Sequence, residues 1–203
     1  MAVRPKLLRS SVRGVAVFLD RDGTINVEMN YVNRVRDFKL LPGTAAAIGE
    51  LNRQGIRAIV ASNQSGVARG FLTMRTLARI TRKMKLLLEA QGAQLDAVYY
   101  CPYHPDDKAP CRKPEVGMAL EAREKFGLDL ERCYMVGDTR TDIEFGRNFG
   151  ARTVLVLSGQ SRGTEAWIKR MKPDWVAQDL GCAVQWVLKD VRYRAAKRIT
   201  RKT

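Results

Sequence analysis

The segment Phe18-Leu19-Asp20-Arg21-Asp22-Gly23-Thr24 constrains this chain more than any other. An apolar run, Val15 to Leu19, ends in two aspartates spaced i, i+2, and Gly-Thr follows them. A short apolar run of this kind reads as a buried strand. The aspartates then stand where strand opens into loop, and Gly23 permits a sharp turn there. Open α/β sheets bind ligands at the carboxyl ends of their strands. Two carboxylates placed together repel unless a proton or a cation is shared. Mg²⁺, hard and oxygen-seeking, is the natural guest. By itself the segment also fits a strand-end turn with solvated aspartates.

Three further segments narrow that choice. Ser62-Asn63-Gln64 follows a second apolar run, Ile56 to Ala61. Arg112-Lys113-Pro114 stands just before a helical pattern, and Gly137-Asp138-Thr139-Arg140-Thr141-Asp142 follows Tyr134-Met135-Val136. Strands are expected over Val15–Leu19, Arg57–Ala61, Ala97–Cys101, Cys133–Val136 and Thr153–Leu157, with a short edge strand at Asp174–Ala177. Helical spacing falls between them, over Thr44–Arg53, Thr73–Gln91, Glu115–Phe126 and Thr141–Phe149, then over Thr164–Met171 and Asp179–Asp190. Thr73 is the expected N-cap of the second helix. Alternation of this kind argues for an α/β fold with a doubly wound, mostly parallel sheet. Trp167, Trp175 and Trp186 read as packing residues. Asp22 and Ser62 are separated by 39 residues and Ser62 and Lys113 by 50, too few for a separate cap domain beside the helix and strand each gap must hold.

The 203 residues, 45% hydrophobic, suit one domain, expected over 15–188 with basic tails at 1–14 and 189–203. The formal charge of +15 is concentrated at the ends: +4 in residues 1–14 and +6 in 189–203, leaving +5 for the body. Such tails read as solvated segments, and nucleic-acid contact through them is the less favoured reading. No apolar stretch reaches about 18 residues, so no membrane span is expected. The basic N-terminus lacks the apolar region of a secretory signal. The four cysteines fit a reducing cytoplasm. Nothing in the pattern asks for more than a monomer.

Asp-x-Asp-Gly-Thr, then Ser, then Lys, then Gly-Asp-x-x-x-Asp, in that order over Val15 to Asp142, resembles the haloacid dehalogenase-like phosphohydrolase superfamily. The resemblance implies a phosphatase with a Rossmann-like core. Asp20 would be the nucleophile, forming an aspartyl-phosphate. Asp22 would protonate the leaving oxygen and then activate water. Ser62 and Lys113 would bind the phosphoryl oxygens. Mg²⁺ would be held by Asp20, the backbone carbonyl of Asp22, and Asp138, with Asp142 supporting the metal or orienting Lys113.

Longer stretches are similar to the D-glycero-D-manno-heptose 1,7-bisphosphate 7-phosphatase family. These are Asp22–Asn26, Tyr31-Val32, Asp37-Phe38, Leu41–Gly43, Ser62–Gly70 and Cys111–Pro114 with Gly117-Met118. Histidinol-phosphate phosphatases share most of the pattern. The resemblance implies a small phosphorylated sugar as substrate, an intermediate of bacterial surface-glycan (lipopolysaccharide) synthesis, and contacts to it from Asn63 and Arg112. Arg112 would suit a second phosphate through its planar fork. The family's zinc loop, Cys-x-His then Cys-x-Cys, is incomplete here: Tyr103 and Ala109 stand at two ligand positions. Cys101 and Cys111 remain, and His104 is one residue out of register, so Zn²⁺ is not expected. Two other readings stay open: a 3′-phosphatase of nucleic-acid ends, which an uncapped site admits, and a non-catalytic binding protein on the same fold.

Overall fold

The computed structural model describes residues 12–200; most of the expected N-terminal tail and the last three residues lie outside the described residues. Six parallel strands form one sheet in the order β3-β2-β1-β4-β5-β6. They are β1 Ala16–Leu19, β2 Arg57–Asn63, β3 Ala97–Cys101, β4 Tyr134–Gly137, β5 Arg152–Val156 and β6 Trp175–Ala177. The helices between them are α1 Thr44–Arg53, α2 Met74–Glu89, α3 Gly117–Phe126, α4 Arg140–Asn148, α5 Ala166–Met171 and α6 Leu180–Thr200.

Parallel strands need crossovers, and strands buried on both faces read as unbroken apolar runs. β1 shows this residue by residue. Val17 and Leu19 point into a core shared with α1, α2 and α6, through Ile48, Leu77 and Val187. Ala16 and Phe18 point into the opposite core, against α3 and α4, through Met118, Ala119 and Phe145. Phe18 packs with Phe145 and Phe149 at ring-centroid distances of 6.3 and 5.1 Å. The chain moves outward from β1 to β2 and β3, returns to pair β4 beside β1, and moves outward again. The sequence of strands therefore reverses between β1 and β4, the place where open sheets leave a crevice for ligands.

Thr73 caps α2, accepting the Thr76 backbone N–H at 3.1 Å. Among the described residues no additional domain is inserted between strands; the Asn26–Pro42 loop is pinned by a bridge between Asn26 and Leu40.

The C-terminal helix departs from expectation. It does not stop at Asp190 and give way to a tail, but runs to Thr200. The apolar spacing Leu180, Ala183, Val184, Val187, Leu188 continues to buried Val191. Asp190 accepts bonds from the Tyr134 hydroxyl and from Arg152 Nη1, both at 2.7 Å. Arg194 Nη2 donates to the Glu131 carbonyl at 3.0 Å. Lys189, Arg192, Arg194 and Lys197 thus ride on a helix anchored to the sheet. At the other end, Val12, expected in a tail, is buried.

Candidate active site

The β1/β4 crevice collects the acidic residues. The backbone N–H of Asp20 donates to the Val136 carbonyl at 2.9 Å, which ties the end of β1 to β4. Asp138 lies just past β4 and Asp142 in the first turn of α4. One carboxylate oxygen from each of Asp20, Asp138 and Asp142 lies within 4.8 Å of the others. Lys113 enters this group from the loop before α3, its Nζ 2.8 Å from Asp20 Oδ1 and 2.6 Å from Asp142 Oδ1. Asn63, last residue of β2, holds that lysine in place. Its Nδ2 donates to the Lys113 carbonyl at 3.0 Å and its Oδ1 accepts the Lys113 N–H at 2.9 Å. Both polar atoms of Asn63, expected at the substrate, are therefore engaged with the chain. Asp142 Oδ2 accepts the Thr139 N–H at 3.0 Å and its hydroxyl at 2.6 Å, closing the cap of α4. The other oxygen of Asp142 is left to orient Lys113.

Burial dominates the electrostatics. It pushes Asp20 up to about 6, against the opposing pull of Lys113. It pushes Asp138 up to about 8, with Asp142 and Asp20 adding to the shift. Lys113 is also buried, which would favour its neutral form, but Asp142 and Asp20 outweigh this and raise it. Too many acids meet too few cations here. Asp138 makes the point atom by atom: Oδ2 accepts the Gln160 N–H at 2.7 Å, while Oδ1 is buried with no hydrogen-bond partner. Gly23, at φ +74°, and Gly159 press against this carboxylate, and a Cβ on either would run into it. The two glycines abut Oδ2, and the unpartnered Oδ1 in this acidic cluster fits a hard divalent cation such as Mg²⁺.

Asp22 stands apart from that cluster. Its side chain turns to Arg21, Asn26 and Gln64. The third carboxylate beside Asp20 and Asp138 is that of Asp142, not Asp22. Ser62 is buried, 3.1 Å from Gln64 Nε2. Asp20, Asp22, Ser62, Asn63, Arg112 and Lys113 all line one cavity of about 550 Å³. Trp167, expected only as packing, rests on the Ile143–Leu155–Ile168 cluster and also walls this cavity. The sequence reading missed Arg21, Asn26, Gln64 and Gly159. A charged residue abutting a buried strand is the signal that Arg21 offered; the others become visible only once the loops are folded.

The loop after β3 is held by its own residues. His104 Nδ1 accepts the Asp106 N–H at 3.4 Å, capping a short 3₁₀ turn. Cys101 and Cys111 lie side by side with sulfurs 2.6 Å apart, and burial pushes the Cys101 thiol up to about 12.

Known proteins repeat this architecture. Residues 110–183 match the HAD-hydrolase-like family. A D-glycero-D-manno-heptose-1,7-bisphosphate 7-phosphatase of Thermosynechococcus vestitus is 40% identical over 185 residues, 85% of this chain and 94% of the relative. The D-glycero-β-D-manno-heptose-1,7-bisphosphate 7-phosphatase of Escherichia coli is 38% identical over 183 residues, covering 86% and 94%. The crystal structure of the D,D-heptose 1,7-bisphosphate phosphatase of B. bronchiseptica, complexed with magnesium and phosphate, superposes with a TM-score of 0.79 at 32% identity, over 87% of this chain and 98% of that one. With relatives this similar over nearly their whole length, the chain belongs to the haloacid dehalogenase-like hydrolases, in the family of the heptose-1,7-bisphosphate 7-phosphatases.

Proposed function

We propose that this phosphatase removes the C7 phosphate of D-glycero-D-manno-heptose 1,7-bisphosphate, with Asp20 as nucleophile and Asp22 as acid and base. One observation carries the assignment of roles. Asp20 sits in the acidic cluster with a lysine on one oxygen, whereas Asp22, two residues on, sits outside it among N–H donors. The contrast is one of place: Asp20 lies beside Lys113 and the acidic group where a metal and phosphoryl group would sit, and Asp22 lies outside it on the same cavity wall.

Asp20 attacks phosphorus in line with the sugar oxygen, and Asp22 gives that oxygen its proton as the P–O bond breaks. Lys113 and Ser62 hold the phosphoryl oxygens. Water then attacks phospho-Asp20, Asp22 takes the water's proton, and inorganic phosphate leaves. Bound at Asp20, Asp138 and the Asp22 carbonyl, Mg²⁺ would supply the charge that lets an anion approach an anion. The magnesium and phosphate complex of the B. bronchiseptica relative supports this choice of metal. Arg112, on the cavity wall, is placed for the substrate's second phosphate.

The test is phosphate release with Mg²⁺ from both anomers of heptose 1,7-bisphosphate, fructose 1,6-bisphosphate, histidinol phosphate and a 3′-phosphorylated oligonucleotide. Asp20→Asn is the blank. Fast Asp20-dependent release from one heptose anomer is expected. Preference for histidinol phosphate or for the oligonucleotide would replace the substrate. We also propose that the 101–111 loop works without zinc, since His104 serves as a cap; stoichiometric protection of Cys101 and Cys111 thiols by added Zn²⁺ would reverse that.

A further inference from the structure

Asp22 receives an unusual set of contacts. Arg21 Nη2 donates to both its oxygens, at 2.8 and 2.7 Å, and Nε adds a longer bond of 3.2 Å to Oδ1. Asn26 Nδ2 donates to Oδ1 at 2.9 Å, and Gln64 Nε2 to Oδ2 at 2.9 Å. The larger share comes from the residue next door in sequence. A strand would point Arg21 away from its neighbours. Here the chain has already left the strand: the Arg21 carbonyl accepts the N–H groups of Ile25 and Asn26 at 2.8 and 3.0 Å. That tight turn lets the guanidinium fold back onto Asp22.

The cost of this arrangement is informative. Arg21 is wholly buried, and beyond Asp22 the polar group it reaches is the Tyr100 hydroxyl. Its guanidinium carbon lies 6.0 Å from the centroid of the Tyr100 ring. Burying an arginine against a single carboxylate is a poor source of stability; well-packed apolar residues do as well or better. Nor does Asp22 need the cation in order to be accommodated, because its side chain is 20% exposed and faces the cavity. What the fork provides is geometry, since a planar guanidinium fixes a carboxylate in plane and in rotamer.

We infer that Arg21 is a positioning residue for the phosphatase reaction: it acts through Asp22, holding that carboxylate at the leaving-group side of the cavity. The inference rests on Asp22 being the proton donor. A side chain left to rotate there would transfer its proton from the wrong place or not at all, and misplacement of this size is costly in catalysis.

The experiment exploits the leaving group. A sugar alkoxide needs a proton to depart, whereas nitrophenolate does not. With Arg21→Met, turnover of the best sugar bisphosphate should fall about 100-fold, the usual worth of a positioned acid, with KM changed less than about threefold. Mixed rapidly with p-nitrophenyl phosphate, the same variant should still give a burst of about one nitrophenolate per active site. Arg21→Lys keeps the charge, loses the fork, and should show the same split at about tenfold. If Arg21→Met does not fold, the lysine variant carries the test. Unchanged turnover in the soluble variants, or loss of the burst in step with loss of turnover, would overturn the inference. Asp22→Asn is run alongside. If it too lacks the split, the role given to Asp22 fails; if it alone shows the split, only the role given to Arg21 fails.

Discussion

Around Asp20 the neighbours are acids, and around Asp22 they are N–H donors. Asp138 and Asp142 crowd Asp20, and Lys113 offsets part of their charge. Asn26, Gln64 and Arg21 surround Asp22 and leave its carboxylate well served. The first region is short of positive charge and is built to recruit it, from a metal or from a proton. The second is complete without a ligand. Two residues of one strand end thus differ because the turn after Asp20 swings the next carboxylate out of the acidic group and into a cage of donors. A nucleophile must approach an anion and needs a neutralising partner. An acid–base group must instead be held still at one place.

The sharpest way to break this comparison is to neutralise each aspartate in turn. Asp20→Asn should cost at least about 10⁴-fold in kcat, since covalent catalysis ends with it. Asp22→Asn should cost about 10² to 10⁴-fold on a sugar phosphate, the range expected of a lost general acid. Acid-quenched enzyme, analysed by mass, should retain phosphate on Asp20 in the Asp22 variant. Phosphate retained in the Asp20 variant would show that the two roles are exchanged.

Gly159→Ala is a quieter blow to the acidic side alone. Its methyl group would displace the Asp138 carboxylate without removing any charge. Mg²⁺ affinity, read by titrating activity, should weaken by about 10- to 100-fold, as for other disturbances of ligand placement. The nitrophenyl and sugar substrates should suffer alike, in contrast to Arg21→Met. Wild-type Mg²⁺ dependence would mean that Asp138 is not a ligand.

How much of this could be read from the residues alone divides along the same line. β1 to β5 announce themselves as apolar runs, and each catalytic candidate stands at or just beyond a strand end or before a helix, where local sequence suffices. The edge strand Trp175–Ala177 is also legible, because Asp174 and the residues after it switch from loop to β character. The cage of Asp22 is not. Gln64 lies 42 residues from Asp22, and its contact depends on β1 and β2 pairing in register. The spending of Asn63 on the Lys113 backbone, 50 residues away, is equally a product of folding. The length of α6 was legible but obscured: Val191 continues the apolar spacing, while the surrounding basic residues suggest a solvated tail.

Charge titration should separate the two regions without any mutation in the acidic cluster. Asp20 and Asp138 are raised to about 6 and about 8, chiefly by burial and with the Asp142 charge adding to both, above the value near 3.8 for a free aspartate. Protonation then favours the folded chain. This contribution is complete below about pH 4 and is lost as pH rises through about 6 and then about 8. Without metal, Tm should therefore fall between pH 5 and pH 8.5, and the rise in Tm on adding Mg²⁺ should be larger at pH 8.5 than at pH 5.5. Asp22→Asn should leave that difference in place. A Mg²⁺ effect on Tm that does not grow with pH would remove the acidic cluster as its source.

The smallest expected effect tests whether the cage works as a unit. Gln64→Leu removes one donor from Asp22 Oδ2, but Arg21 Nη2 still holds the same oxygen at 2.7 Å. It also removes the contact to Ser62, so two opposite results can be told apart. If Gln64 serves Asp22, kcat on the sugar phosphate should drop about tenfold with KM little changed, the scale of a hydrogen bond to a charged group of roughly 1.5 kcal/mol. If it serves mainly Ser62, KM for the phosphate should rise while kcat holds, because uniform binding has been lost. The first pattern extends the contrast between the two aspartates to a third residue. The second moves Gln64 to the phosphate-binding side and leaves Arg21 as the dominant constraint on Asp22.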